Sequence, residues 1–194
     1  MDGLTASRLP SPGRVSLAYF ADDRGRIVTE MSAMVHGDDE VGLITAATAQ
    51  WHDGEWLSRQ APEGITVSDH TDDVECLLVT GPKSRDILSG LTNADLDQKW
   101  LTVQFDKKVA GEDASLIRVS FAGELGWEIH CAPDSAPAIW DALMDAGAKP
   151  FGMYALNSLR LEKGYRAWKG DLSTDYTILQ GGRDRFVKWD KGDY

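Results

Sequence analysis

The sequence predicts an α+β fold of antiparallel sheets with packed helices, and three observations predict it. Two stretches carry the residue types and turn signals of β-hairpins. Amphipathic helical runs fall between and after them. The connections are short, as antiparallel neighbours allow, whereas parallel strands need long crossovers.

Residues 15–20 (Val-Ser-Leu-Ala-Tyr-Phe) have a strand's composition, residues 21–26 read as a turn, and residues 27–35 form the return arm. Residues 41–46 suit a third strand, and residues 50–57 a short helix before the Ala61-Pro62-Glu63-Gly64 loop. The continuous apolar run 74–80 predicts a strand buried on both faces. Gly81-Pro82-Lys83-Ser84 opens a helix with Pro in its first turn, and Ile87, Leu88 and Leu91 fall at helical spacing. The second hairpin joins residues 116–121 to 127–131 through a turn bounded by Gly123 and Gly126. Alternation puts Trp127, Ile129 and Cys131 on one face of its return arm and Glu128 and His130 on the other. Residues 134–146 predict an amphipathic helix stopped by Gly147, and residues 153–163 another that ends at Gly164. The aromatic and charged remainder, 165–194, reads as loop and short strands, and residues 1–14, broken by Pro10-Ser11-Pro12-Gly13, as a loose leader.

The chain has 194 residues, 42% hydrophobic and 26% charged. A chain of this length buries roughly 70% of the surface it would expose unfolded, so it needs no disulfide or metal to fold. No apolar run approaches the ~20 residues that span a bilayer. The first residues resemble neither a signal nor a transit peptide, so a soluble cytoplasmic protein without membrane partners is expected. A net charge of −11 argues against nucleic acid. The charge is uneven: residues 160–194 carry a net +2, which makes them the likelier place for an anionic ligand group or simply a near-neutral end. Cys76 and Cys131 have no CxxC spacing, and the four histidines show neither HxxxH nor HExxH, so buried free thiols and no metal site are expected.

Three places could carry chemistry. Glu128 is an acid in an otherwise apolar strand arm, so it must be solvated, paired with a neighbour such as Arg118, or used to accept two parallel N–H bonds. The run from Asn157 to Asp171 packs polar, cationic and aromatic groups at a helix C-terminus. Cations there are favoured by the helix dipole alone; the sharper alternative is a pocket wall, with Arg160 as anchor and Tyr165 or Trp168 as stacking surface. Glu30, in the first hairpin's return arm, reads on its own as an ordinary exposed acid. There is no GxGxxG, GxxxxGK[ST] or GxSxG, hence no dinucleotide, P-loop or nucleophile-elbow site.

The segment Phe121-Ala122-Gly123-Glu124-Leu125-Gly126-Trp127-Glu128-Ile129 resembles the [YF]-x-G-E-x-G-[FWV]-E-I motif of the folate-binding aminomethyltransferases, the glycine cleavage T-protein and its relatives. Ser158-Leu159-Arg160-Leu161-Glu162 is similar to that family's S-L-R-L-E helix, and Gly25-Arg26-Ile27-Val28-Thr29-Glu30-Met31 to its first hairpin. The stretch 162–173 most resembles the folate domain of flavin-dependent dimethylglycine and sarcosine dehydrogenases.

The resemblance implies a T-protein-like core that binds tetrahydrofolate in a central channel. Glu128 is then expected to hold the pterin's aminopyrimidine edge, with Arg160, Phe121, Tyr165 and Trp168 near the cofactor. Phe121 stands where T-proteins have Tyr, and Glu30 where they have a catalytic Asp. A carboxylate beside folate amines can shuttle a proton as a one-carbon unit is passed on. The implied partners are a small-molecule amine donor and a flavin-dependent oxidoreductase domain or a lipoyl carrier protein; no flavin site is expected within the chain. By the same resemblance residues 15–70 are part of a first folate-binding subdomain and 71–194 a second, with the family's C-terminal barrel absent and the chain truncated at both ends. The alternative function is a non-catalytic folate-family scaffold, or a fragment or subunit of such a dehydrogenase. The iron–sulfur relatives' K-G-C-[YF]-x-G-Q-E signature is not matched, since Lys163-Gly164-Tyr165-Arg166-Ala167-Trp168 holds no Cys.

Overall fold

The computed structural model describes residues 2–37 and 39–192. The expected segment ends at Met1, Asp193 and Tyr194 lie outside the described residues. The chain forms two compact units, one of Met1–Asp69 with Arg166–Tyr194 and one of His70–Tyr165. The sequence reading kept 71–194 together. In the structure the stretch after Tyr165 belongs with the first unit, because its backbone is tied to the first hairpin: the Ile27 amide donates to the Tyr176 carbonyl, and the Ile178 amide to that of Gly25.

The first unit is built on a three-stranded antiparallel sheet in the order β1 (Val15–Ala21), β2 (Ile27–Val35), β3 (Val41–Ile44). Gly25, at φ +72°, closes the β1–β2 turn, and Asp22 Oδ1 accepts from the Arg24 and Arg26 amides. Alternation sends Ala18, Phe20, Met31 and Ala33 to one face, where they meet Leu57 of helix α1 (Gln50–Gln60). Tyr19 goes to the other face, with Ala6, Ile27, Leu172 and Ile178. A buried Asp53 on α1 accepts hydrogen bonds from the hydroxyls of Thr29, at 3.0 Å, and Thr45.

The start of the chain is not a loose leader. Thr5, Ala6 and Ser7 are buried. The Ala6 amide and the Thr5 hydroxyl donate to the Tyr19 carbonyl, the Tyr19 amide donates to Ser7 Oγ, and the Lys188 amide donates to the Ala6 carbonyl. The segment thus satisfies polar backbone along the free edge of β1, which the Pro-rich stretch at 10–13 did not signal. The last stretch contributes a 3-10 helix, Asp184–Phe186, and two isolated bridges rather than strands among the described residues.

The second unit is a four-stranded antiparallel sheet in the order β4 (Glu75–Thr80), β7 (Gly126–Cys131), β6 (Glu112–Ile117), β5 (Val103–Val109). Helices α2 (Ser84–Ser89) and α3 (Ala136–Asp145) supply Leu88, Ile139 and Leu143 to a core with Val79, Leu116, Trp127, Ile129 and Cys131. Among the described residues β4 pairs only with β7 and is an edge strand, with Glu75 and Cys76 exposed and only Val79 of the strand buried, so the expectation of burial on both faces fails. The second hairpin's first arm also ends earlier than expected, at Ile117. Helix α4 (Met153–Glu162) presents mostly exposed residues, Tyr154 among them at 95%, and buries Arg160.

Gly126 opens β7 where space is short. A Cβ there would sit 2.8 Å from the Val79 carbonyl oxygen and 3.0 Å from Ser120 Cβ. Gly126→Ala is expected to lower stability by about 1–3 kcal/mol, the usual range for overpacking. Denaturant melts showing no loss would mean that β4 and β7 are less tightly held than this.

Candidate functional site

In the first unit, Glu30 of β2 lies directly across from Tyr19 of β1. The Tyr19 hydroxyl donates to the Glu30 carboxyl, and Arg183 is the nearby cation. One carboxyl oxygen, Oε2, is buried and has no hydrogen-bond partner among the described residues. Such a group is uncommon in folded proteins, and functional sites are one place where it occurs. Burial raises the Glu30 carboxyl above its ordinary value, against the Tyr19 hydrogen bond and the Arg183 charge, both of which lower it. Tyr19 is held well above the ordinary phenol value, first by burial and then by Glu30.

The raised Glu30 value sets a pH dependence. The folded chain holds this proton to higher pH than the unfolded chain does, so the stability it adds is full below the ordinary carboxylate value of 4.5. That stability is lost as pH rises through the folded value. Glu30→Gln carries no such loss. Its melting temperature is expected to gain on the parent's as pH rises from about 4 to about 8, because the amide forms no buried charge. A difference that does not grow with pH in paired thermal melts would contradict a raised Glu30.

Trp168, also in the first unit, packs partly buried against the Tyr19 cluster, with its ring centroid 6.2 Å from that of His52. Its indole Nε1 is buried without a hydrogen-bond partner among the described residues.

In the second unit, Arg160, Phe121 and Tyr165 come together. α4 stops at Gly164, at φ +68°, where the left-handed conformation lets the Tyr165 amide donate back to the Arg160 carbonyl. The Arg160 guanidinium returns the contact, Nη1 donating to the Tyr165 carbonyl at 2.9 Å while Nε and Nη2 donate to Asn157 Oδ1. Its charged end lies 6.0 Å from the centre of the Phe121 ring, which stacks with Tyr165 at 6.4 Å. A half-exposed aromatic pair backed by a buried guanidinium is the result.

Glu128 sits on β7, between Leu78 of β4 and Ile117 of β6. Its side chain is 24% exposed, and its Oε2 lies 3.3 Å from His130 Nε2. It does not pair with Arg118, whose Nη1 donates to the Gln98 carbonyl and whose charge lies over the Trp127 ring. A partly exposed carboxylate with one oxygen turned to a histidine can still accept N–H donors from outside. A cleft lined by Trp100, Arg118, Ser120 and Tyr165 adjoins the 121–126 turn but is not lined by Glu128.

Sequence reasoning singled out neither Tyr19 nor Arg183 beside Glu30. Counting back from the Asp22-Gly25 turn would set Tyr19 opposite Thr29; a β-bulge between Phe20 and Ala21 shifts the register by one and brings it opposite Glu30, which the sequence does not announce. Arg183 carries no local signal, being brought in by the long return of the C-terminal stretch.

The chain matches the family described as the GCVT N-terminal domain over residues 1–191. It is 34% identical to the mitochondrial dimethylglycine dehydrogenase of Homo sapiens over 98% of its own length, which is 23% of that protein. It is 30% identical to the aminomethyltransferase of Picosynechococcus sp. over 94% of its length, 51% of that protein. Among solved structures, the glycine cleavage system aminomethyltransferase T of Bartonella henselae superposes with a TM-score of 0.83 at 21% identity, covering 97% of this chain and 52% of that one. The chain therefore spans from under a quarter to about half of these relatives. It has the fold of the T-protein's corresponding part, as the two antiparallel sheets and their helices predict. The motif around Glu128, the α4 arginine and the first hairpin thus sit in a chain that belongs to the GCVT N-terminal domain family.

Proposed function

We propose that the chain is a tetrahydrofolate-binding, aminomethyltransferase-type domain that passes a one-carbon unit from an amine donor to tetrahydrofolate. The observation that carries this reading is Glu30, a buried carboxyl of raised pKa with one oxygen left without a partner. In the second unit, the partly exposed Glu128 carboxylate suits a ligand rich in N–H donors, as a reduced pterin is. When bound, tetrahydrofolate supplies the amines that take up the one-carbon unit.

The chain's own residues have separate tasks. Glu128 accepts two side-by-side N–H bonds from the aminopyrimidine edge and so orients the ring. Phe121 and Tyr165 offer apolar faces, with Arg160 held behind them by Asn157. Trp168 adds a further aromatic surface and an indole N–H. Glu30 holds or takes a proton at Oε2, and Tyr19 fixes the carboxyl through the other oxygen. Glu30 is one methylene longer than the Asp of T-proteins.

The donor is a glycine-derived aminomethyl group carried by a lipoyl protein, or the iminium that a flavin-dependent oxidoreductase domain forms by two-electron oxidation of dimethylglycine or sarcosine. The likeness to dimethylglycine dehydrogenases favours a second reading, that the chain is the folate-binding part of such a dehydrogenase. None of the described helices is long and apolar enough to cross a membrane, and a cytoplasmic location remains the reading of the composition. The test is an anaerobic transfer assay with tetrahydrofolate and an aminomethyl donor or formaldehyde. The expected result is methylene-tetrahydrofolate formed faster than in buffer. A rate equal to that of buffer, from a chain that binds tetrahydrofolate, would leave only the scaffold reading.

A further inference from the structure

Cys76, Glu128 and His130 converge on the second unit's sheet. Cys76 of β4 lies directly across from His130 of β7, and Glu128 is two residues before His130 on the same face. Cys76 Sγ is 3.7 Å from His130 Nε2, and that nitrogen is 3.3 Å from Glu128 Oε2. All three donor atoms lie within 4.8 Å of one another. A tetrahedral zinc ion bonded at about 2.3 Å to sulfur and about 2.0 Å to nitrogen and oxygen holds its ligand atoms roughly 3.3–3.6 Å apart. The two measured edges are close to that geometry without any rearrangement of the strands.

We propose that Cys76, Glu128 and His130 form a site for a thiophilic divalent cation, zinc above all, with water as the fourth ligand. A thiolate, an imidazole and one carboxylate select zinc over magnesium or calcium, which take oxygen ligands. Cys76 is an exposed residue, and Glu128 and His130 are partly covered. Binding replaces the thiol proton, so Cys–SH and Zn2+ give Cys–S–Zn+ and H+. Spacing rules could not find this site, because its cysteine lies on a separate strand from the other two ligands and only the β4–β7 register brings it to them. The site stands on its own geometry. One consequence does rest on the pterin reading: the ion takes the Glu128 carboxylate, so it excludes tetrahydrofolate.

The test titrates the 194-residue chain with Co2+, a spectroscopic substitute for zinc, in a non-thiol reductant. The expected result is one saturable Co2+ per chain with a thiolate charge-transfer band, displaced by Zn2+. The band is lost in Cys76→Ala and His130→Ala, each checked for folding by circular dichroism. It persists in Cys131→Ala, because the Cys131 thiol lies in the core on the opposite face. No band from the folded parent, or a band that survives Cys76→Ala, overturns the site. In a second readout, Zn2+ weakens tetrahydrofolate binding at least tenfold in the parent and not in Cys76→Ala. If the Co2+ band appears as expected and tetrahydrofolate binding ignores Zn2+, the metal site stands and the pterin role of Glu128 falls.

Discussion

Glu128→Gln is expected to weaken tetrahydrofolate binding by about 10- to 100-fold, as losing hydrogen bonds to a charged group costs about 1.5–3 kcal/mol. The amide keeps the size of the side chain but replaces one acceptor oxygen by an N–H2, which opposes an N–H of the aminopyrimidine edge. The fold should not change, because Glu128 is partly exposed and its hydrogen bond here is to a neighbour on the same strand. Equilibrium binding of parent and variant, with matched circular dichroism, checks both halves. Equal affinities would remove Glu128 from the pterin site.

Glu30→Gln is expected to do the reverse. It should leave tetrahydrofolate affinity within a few-fold and slow one-carbon transfer by about 10²–10⁴, the range ascribed to a positioned acid or base. Oε2 is unpartnered, so the amide disturbs no existing bond there, while Tyr19 can still donate to the remaining oxygen. Glu30→Asp, which restores the T-protein residue but withdraws the carboxyl from Tyr19, should fall between the two. Transfer rates with saturating tetrahydrofolate separate the cases. A Glu30→Gln chain as fast as the parent would make Glu30 a structural acid.

Much of the fold was legible because alternation and helical spacing act locally. The β1–β2 hairpin, the split of Trp127, Ile129 and Cys131 from Glu128 and His130, and the helix stops at Gly147 and Gly164 all follow from short-range pattern. What was not legible depended on distant chain. β4 reads as doubly buried from its apolar run, and only its place at the sheet edge exposes Cys76. β5 was missed because its hairpin turns on Ala110-Gly111, at φ +53° and +89°. Those are the two positive angles of a type I′ turn, which Asn-Gly would have announced and Ala-Gly did not. The N-terminal segment looked loose because its hydrogen bonds go to Tyr19 and to Lys188 and Lys191, far along the chain.

The candidate site divides in the same way. Arg160, Phe121 and Tyr165 lie in one stretch of motif and one helix end, and the fold of the second unit brings them together. Glu30 was visible as an acid in a hairpin, but its burial was not, since Arg183 and the C-terminal return that covers this face lie far from it in sequence. The same limit hid Cys76 from Glu128 and His130.

The most direct measurement is titration calorimetry of the 194-residue chain with tetrahydrofolate, anaerobic and reduced. Saturable binding of one ligand per chain, sharply weakened in Glu128→Gln, is the predicted result. No heat beyond dilution from a chain shown to be folded, or the same isotherm for the variant, would contradict the reading of this domain as a tetrahydrofolate-binding one held by Glu128.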